Sequence, residues 1–258
     1  YYVNDRPHIG TAYTSIAADT IARFKRLQGY EVMFTMGTDD NSEKNAISAK
    51  KQGIPTAEYV AQMSAVFQQT WDSMGLSFNR FIRTTEERHI KAVHAFWQRV
   101  HAQGDIYRGT YEGLYCVGCE AYLSEGDLVH GKCPLHHKEP QKLSEENYFF
   151  CLSKYKDQLL KHIEAHPEFI QPVSRRNEIV AYMKDHMADI SISRKGREWG
   201  IAAPGKPGEV IYVWFDALIN YLSVVDFPWN DRAIRSSDKS EGWWPADLQL
   251  MGKDIIKF

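Results

Sequence analysis

Four residues are spaced like a metal site. Cys116-x2-Cys119 and Cys133-x2-His136 form two paired hooks separated by thirteen residues, a loop long enough for both pairs to meet on one tetrahedral ion. Four protein ligands leave no open coordination position, so the expected ion is a structural zinc that folds a short segment and does no chemistry itself. His137 competes with His136 for the fourth place. A redox Cys-x-x-Cys is the rival chemistry, but a thioredoxin-type pair sits at a helix start, whereas Cys116 follows Gly113-Leu114-Tyr115 in a turn-rich stretch. Cys151, in an apolar Tyr-Phe-Phe-Cys-Leu run, reads as an ordinary buried thiol.

Two smaller groups could bind a ligand. Pro7-His8-Ile9-Gly10 stands where a first strand passes into a long helix. Unpaired N–H groups at such a helix start attract phosphate, His8 can donate to a phosphoryl oxygen, and Gly10 lets a nucleotide approach the backbone. A bare His-x-Gly is also an ordinary surface turn, so its position in the pattern is what gives it weight. Asp39 follows the second strand at the same edge, where a carboxylate suits a ligand's ammonium group; its bland alternative is a helix cap, a role Asp40 or Ser42 fills as well. Trp214, Ala217, Leu218 and Tyr221 follow another strand, with Trp214 and Tyr221 on one helical face. Taken alone, that aromatic pair reads as core packing.

The elements that must position these groups read as an α/β sheet. Tyr1 to Val3 ends a strand, Thr11 to Gln28 is a helix with Ile16, Thr20, Phe24 and Leu27 on one face, and Gly29 stops it. Glu31 to Met36 is a short buried strand, which completes a βαβ unit. Helices are expected over 42–52, 56–74 and 86–103, with a short strand at Phe81-Ile82-Arg83 between the last two. From about Ile106 to Phe150 the chain turns Gly- and Tyr-rich and holds three of the four cysteines, the mark of a small β-type insertion. Helical spacing returns over 154–165, Ser174 can cap a helix running to about Met187, and Val210 to Trp214 is a strand leading into a helix over 216–225. Leu248 to Met251 reads as a last strand. The expected architecture is α/β: a Rossmann-type open parallel sheet carrying an inserted small zinc-binding β-rich domain. Its boundaries are 1–105 for the first half of the nucleotide-binding domain, 106–150 for the insertion and 151–258 for the second half.

At 258 residues, 43% apolar and 25% charged, the chain can bury one sizeable core without disulfides. A net charge of −2 gives no global reason to bind a polyanion, so any nucleic-acid contact must be local. The local candidates are the basic clusters at Arg23 to Arg26, at Arg175 and Arg176, and from Arg194 to Arg197. No apolar run approaches the roughly 18 residues of a membrane span, and no signal peptide opens the sequence, so a cytoplasmic address is the expectation. With no initiator Met and an end inside an apparent element, the sequence reads as a piece of something longer.

Taken in order, the motifs resemble the catalytic region of the methionyl-tRNA synthetases, a family of class I aminoacyl-tRNA synthetases. The resemblance is carried by Tyr1-Tyr2-Val3-Asn4, Pro7 to Gly10, Gly37-Thr38-Asp39, the Cys116 to His136 knuckle and Asn147 to Phe150. It continues through Ser174 to Glu178, Ser191 to Arg194, Trp199-Gly200-Ile201, Val213 to Tyr221 and Gly252-Lys253-Asp254, nearly end to end. It implies ATP-dependent activation of L-methionine to methionyl-adenylate, with Mg2+ accompanying ATP, followed by transfer to the acceptor end of methionine tRNA. The substrate carboxylate is itself the nucleophile, so the protein's work is positioning and charge stabilisation.

By the same resemblance, His8, Gly10 and the helix start at Thr11 face the ATP phosphates, Gly252 and Asp254 hold adenosine, and Asp39 takes the ammonium group with Arg194 as ionic partner. Tyr2, Trp214, Ala217, Leu218, Tyr221 and Phe258 form the methionine pocket, whose aromatic walls suit a polarizable thioether. A monomer is expected. The sequence departs from the family pattern where Thr11 replaces a second signature His and where Asp39-Asp40-Asn41-Ser42 replaces Asp-Glu-His-Gly. The Lys-rich signature loop and the anticodon-binding domain are absent, so the 258 residues alone are expected to turn over poorly. Two other readings stand beside this one. Class I enzymes for leucine, isoleucine, valine or cysteine share the His8 to Gly10 type of signature but need a long editing insertion or a catalytic zinc. A non-catalytic zinc-ribbon RNA-binding module would use the basic clusters.

Overall fold

A computed structural model describes residues 1–119, 121–123, 125–229, 242–253 and 255–256. Its first half is built on a short parallel ladder. Strand β1 (Thr35–Thr38) pairs in parallel with β2 (Arg80–Arg83), Thr35 opposite Arg80 and Thr38 opposite Arg83. Tyr2 makes a parallel bridge to Asp39, and the Asp39 N–H donates to the Tyr1 carbonyl at 2.8 Å. Helix α1 (Ile9–Leu27) makes the first crossover, and α2 (Glu43–Gln52) with α3 (Thr56–Ser73) makes the second. The loops after Val3, Thr38 and Arg83 therefore open at the same, carboxyl edge, where open α/β sheets bind ligands. Val3, Met36, Ala49, Tyr59, Val60, Phe67 and Trp71 pack into the core that holds α2 and α3 against this ladder.

Helix α4 (Glu87–Ala102) crosses to the second core, where Ala92, Val93, Trp97 and Val100 meet Ile192, Ile201, Ile211, Val213, Phe215 and Ile219. Between the halves stands an antiparallel arm. Strand β3 (Ile106–Cys116) pairs along its length with β5 (Gln141–Phe150), from Ile106 opposite Phe150 to Tyr115 opposite Gln141. The short β4 (Ala121–Leu123) flanks β3 at the tip, and β6 (Ile190–Ser191) joins β5 at the base. Helices α5 (Lys156–Ala165) and α6 (Val173–His186) follow the arm, the first entered through a single 3-10 turn over Leu152–Tyr155. Strand β7 (Ser193–Lys195) then pairs with β8 (Glu209–Ile211), which feeds α7 (Val213–Leu218) and α8 (Asn220–Ser223).

Several expected elements are displaced for identifiable reasons. The Ile16, Thr20, Phe24 and Leu27 face of α1 points to solvent, with Leu27 87% exposed. The helix instead docks through Ser15, Asp19 and Ala22, because Asp19 is held by the Ser77 N–H and hydroxyl at 2.7 and 2.5 Å. The strand expected over 31–36 forms at 35–38, the segment whose alternate residues Met36 and Thr38 are buried. Ser174 does not cap α6: Pro172 occupies the N-cap, where its ring already holds φ at −73° and the helix begins one residue before Ser174. The strand expected over 210–214 ends at Ile211 because Tyr212 already caps α7, and the single helix expected over 216–225 is two short ones meeting at Ile219. Leu248 to Met251 forms no ladder, and its three apolar side chains are exposed. Cys151 is half-buried rather than buried; it opens the turn before α5, where its N–H donates to the Asp105 carbonyl at 2.9 Å.

Candidate functional site

At the mouth of α1 the backbone is held by its own side chains. His8 is the N-cap in extended conformation; its Nδ1 accepts the Gly10 N–H at 3.0 Å, and its own N–H donates to Thr11 Oγ1 at 3.0 Å. The Thr11 hydroxyl donates back to the His8 carbonyl at 2.7 Å, closing a reciprocal cap. A Cβ on residue 10 would lie 2.9 Å from His8 Cε1, so only glycine lets the imidazole sit over the helix start. Because Nδ1 accepts, a neutral His8 carries its proton on Nε2, an N–H directed away from the cap on an exposed side chain.

Across the ladder, the loop after β1 buries three polar residues in succession. Asp39 is 8% exposed and Asp40 fully buried, with Asn41 beside them. The Asp40 carboxylate is fully used inside the protein: Oδ1 accepts Ser64 Oγ at 2.8 Å, and Oδ2 accepts Thr85 Oγ1 at 2.7 Å and the Arg83 guanidinium at 2.9 Å. Trp199 Nε1 and Asn45 Nδ2 donate to the Asp40 carbonyl at 2.8 and 2.9 Å. Ser42, not Asp40, caps α2, accepting the Lys44 N–H at 3.0 Å. Asp39, next to the Tyr2 bridge, is left at the edge of the cleft.

The second half supplies the facing wall. Trp214 meets Tyr2 with ring centroids 5.7 Å apart, while Lys44 Nζ lies 5.3 Å from the Tyr2 ring centre. Ala217 is buried on the same short helix, Leu218 is half exposed, and Tyr221 stacks on Trp244 at 6.3 Å. Burial pushes the Tyr221 phenol above its ordinary range. Arg194, on β7, donates to the Ser191 carbonyl at 3.0 Å and the Ser193 carbonyl at 2.7 Å, with its guanidinium 4.2 Å from the Tyr212 ring centre. The structure thus gathers Tyr2, Asp39 and Trp214 at one edge. Gly252 is exposed, its carbonyl accepting the Ile255 N–H at 3.0 Å. Asp254 and Phe258 lie outside the described residues.

At the tip of the arm, one ligand atom from each of Cys116, Cys119, Cys133 and His136 lies within 4.8 Å of the others. His136 Nδ1 stands 3.3, 3.6 and 3.8 Å from the sulfurs of Cys119, Cys133 and Cys116, and the Cys119 and Cys133 sulfurs are 3.4 Å apart. With Zn–S near 2.3 Å and Zn–N near 2.0–2.1 Å, tetrahedral edges come to ~3.6 Å for S···N and ~3.8 Å for S···S, so the four residues fit zinc. A Cβ on residue 118 would meet the His136 ring at 2.5 Å, which is why glycine stands there. His136, not His137, completes the cluster among the described residues.

Two residues at the site escaped sequence reasoning. Asp216 is fully buried, its Oδ2 accepting Asn41 Nδ2 at 3.3 Å. Burial, together with the charges of Asp39 and Asp40, pushes its carboxyl well above the usual range against that one bond. His89, fully buried under α8, shares a 2.8 Å bond with Ser223 Oγ, and burial lowers its pKa to about 4. The available signal was a lone acid within the apolar Val213 to Leu218 run.

The family model for class I (M) tRNA synthetases matches residues 1–144 and 135–258. A methionine–tRNA ligase of Caldanaerobacter subterraneus subsp. tengcongensis is 44% identical over all of this chain and 40% of its own length. That of Rickettsia bellii is 46% identical over all of this chain and 50% of its own length. The Mycobacterium tuberculosis methionyl-tRNA synthetase bound by methionyl-adenylate superposes with a TM-score of 0.91 at 43% identity, covering 99% of this chain and 50% of that one. The chain therefore spans half or less of the length of these relatives. With its Rossmann-type halves, its knuckle-tipped arm and a family match that runs from the first residue to the last, the chain belongs to the class I (M) tRNA synthetases.

Proposed function

We propose that this chain is the ATP- and methionine-binding catalytic region of a methionine–tRNA ligase, which activates L-methionine to methionyl-adenylate and passes it to methionine tRNA. The observation that carries the reading is the 0.91 superposition, at 43% identity, on a synthetase that holds methionyl-adenylate. ATP enters with Mg2+ as substrate. His8 donates through Nε2–H to a phosphoryl oxygen, Gly10 and Thr11 keep it aimed, and Gly252 with Asp254 receives adenosine. Asp39 takes the ammonium group, steadied by Arg194; Tyr2, Trp214, Ala217, Leu218, Tyr221 and Phe258 close on the thioether. As the attacking group is the substrate carboxylate, these residues act by orientation and charge stabilisation, without a covalent enzyme intermediate.

The knuckle holds a structural zinc, closed by its four ligands, which folds the arm. The rival RNA-module reading loses its basic clusters to internal partners. Arg26 donates to Ser77 Oγ at 2.6 Å and Asn79 Oδ1 at 2.8 Å, Arg175 pairs with Glu178 at 2.5 Å, and Arg197 pairs with Glu43. No helix among the described residues is long and apolar enough to cross a membrane; a monomer working in the cytoplasm is the arrangement proposed. ATP–pyrophosphate exchange by the full-length protein, run with each amino acid in turn, tests the reading. Exchange driven by methionine supports it. Exchange driven by leucine, isoleucine, valine or cysteine, or RNA binding without affinity for methionine or ATP, overturns it.

A further inference from the structure

The methionine wall and the ammonium-binding loop belong to different halves of the chain, and one side chain joins them. Asp216 sits on α7 between Trp214 and Ala217, and its Oδ2 accepts Asn41 Nδ2 at 3.3 Å across a separation of 175 residues. Asn41 also donates to the Thr84 carbonyl at 3.2 Å, so the link reaches the end of β2 as well. Asp216 is fully buried, and its Oδ1 has no hydrogen-bond partner among the described residues. We propose that Asp216 is a positioning residue of the methionine site, a neutral carboxyl that locks the Trp214 helix onto the Asp39 loop and keeps Asp39 the anion offered to the substrate amino group.

The inference rests on the methionine-activating reading above and deepens it. The charged groups around Asp216 decide its state. From the β1 loop it faces Asp39 and Asp40, two further acids. The cations of these elements are directed elsewhere: Arg83 at the end of β2 to Asp40 at 2.9 Å, Arg88 on α4 to Glu86 at 2.8 Å and Asp226 at 3.9 Å, Arg194 on β7 to the Ser191 and Ser193 carbonyls at 3.0 and 2.7 Å, and the Tyr1 amino group to Asp39 and Asp40. His89 on α4, packed beneath, is held neutral by its own burial. A carboxylate at Asp216 would be a buried charge among like charges without a counter-ion, and such a group neutralises instead. Since Oδ2 already accepts from Asn41, the proton belongs on Oδ1. Asp39 is the charge that Asp216 feels most after burial itself.

The test uses the full-length protein, with KM for methionine and KM for ATP measured separately in pyrophosphate exchange. Asp216→Ala strands Asn41 and frees the helix, raising KM for methionine about tenfold or more while KM for ATP stays in place. Asp216→Asn, which copies a neutral acid, brings KM for methionine back to within about threefold of the parent, as expected for a group that works uncharged. Asp39→Asn has no such latitude and loses methionine binding. An infrared carboxylic-acid C=O band present at neutral pH and lost in Asp216→Asn gives a second readout that does not depend on the alanine variant folding. Asp216→Asn as damaging as Asp39→Asn, equal rises of both KM values in Asp216→Ala, or no such band would overturn the proposal. A parent enzyme indifferent to methionine would instead sink the functional reading beneath it.

Discussion

Replacing Thr11 by valine keeps the shape of the side chain and removes one oxygen. That oxygen accepts the His8 N–H at 3.0 Å and donates to the His8 carbonyl at 2.7 Å, so the Thr11 arm of the reciprocal cap is lost and only the bond from the Gly10 N–H to His8 Nδ1 remains. Loss of such a cap costs about 0.5–2 kcal/mol. The freed His8 groups are exposed and can turn to water, which puts the folding penalty at the lower end, ~0.5–1 kcal/mol. The catalytic penalty is larger, because His8 loses the fixed backbone that seats its ring on the Gly10 N–H and aims Nε2–H outward. A charge-assisted bond worth ~1.5–3 kcal/mol, made only part of the time, gives up roughly 1.4 kcal/mol, or about tenfold in rate. Pyrophosphate exchange by the full-length enzyme should therefore show kcat/KM for ATP lowered about tenfold and KM for methionine unchanged, with Thr11→Ser close to the parent. Unchanged kcat/KM for ATP in Thr11→Val, or equal loss in Thr11→Ser, would refute the coupling between cap and imidazole.

Removing zinc with a chelator, or substituting Cys119→Ser, should unfold the arm tip and leave the far core intact; protease sensitivity confined to the arm, together with loss of stoichiometric zinc, is the readout. Asp40→Ala strands the partly buried Arg83 and the hydroxyls of Ser64 and Thr85, so denaturant melts should show a loss of about 3–5 kcal/mol. His89 carries a folded-state pKa of about 4, below its value near 6.5 in an unfolded chain. The unfolded state thus binds more protons between those values, and stability falls as pH drops through that window, approaching ~3 kcal/mol at its lower end. His89→Gln should flatten that acid limb in chemical-denaturation curves taken from pH 7 to 4, and an unchanged limb would refute the assignment.

Local chemistry made part of this molecule legible. Helices α2, α3 and α4 fall within a residue or so of their expected limits because their caps and stops are local: Ser42 before α2 and Gly53 in the left-handed region after it. The knuckle was legible for the same reason, since four ligands at fixed spacing specify their own geometry. What sequence reading missed depends on long-range partners. The apolar stripe of α1 marks a helix correctly but not its buried face, which the Asp19–Ser77 bonds decide across 58 residues. Leu248 to Met251 has strand composition, but a strand exists only where a neighbour offers a ladder. Asp216 and Asn41 are unremarkable in sequence, and their significance lies in a contact between the two halves.

The arm is bolted on at its base rather than hung from a linker. Phe149 and Phe150 pair with β6, the Tyr148 carbonyl accepts the Ile192 N–H at 2.8 Å, and Arg108 joins Glu209 on β8 at 2.9 Å. An eleven-residue β3 makes a cantilever of about 35 Å. With Ser193 Oγ bonded to both the Tyr148 N–H at 2.9 Å and Glu209 at 3.1 Å, a load applied at the tip carrying the Cys116 to His136 cluster is passed as torque into β7 and β8 rather than taken up at a hinge.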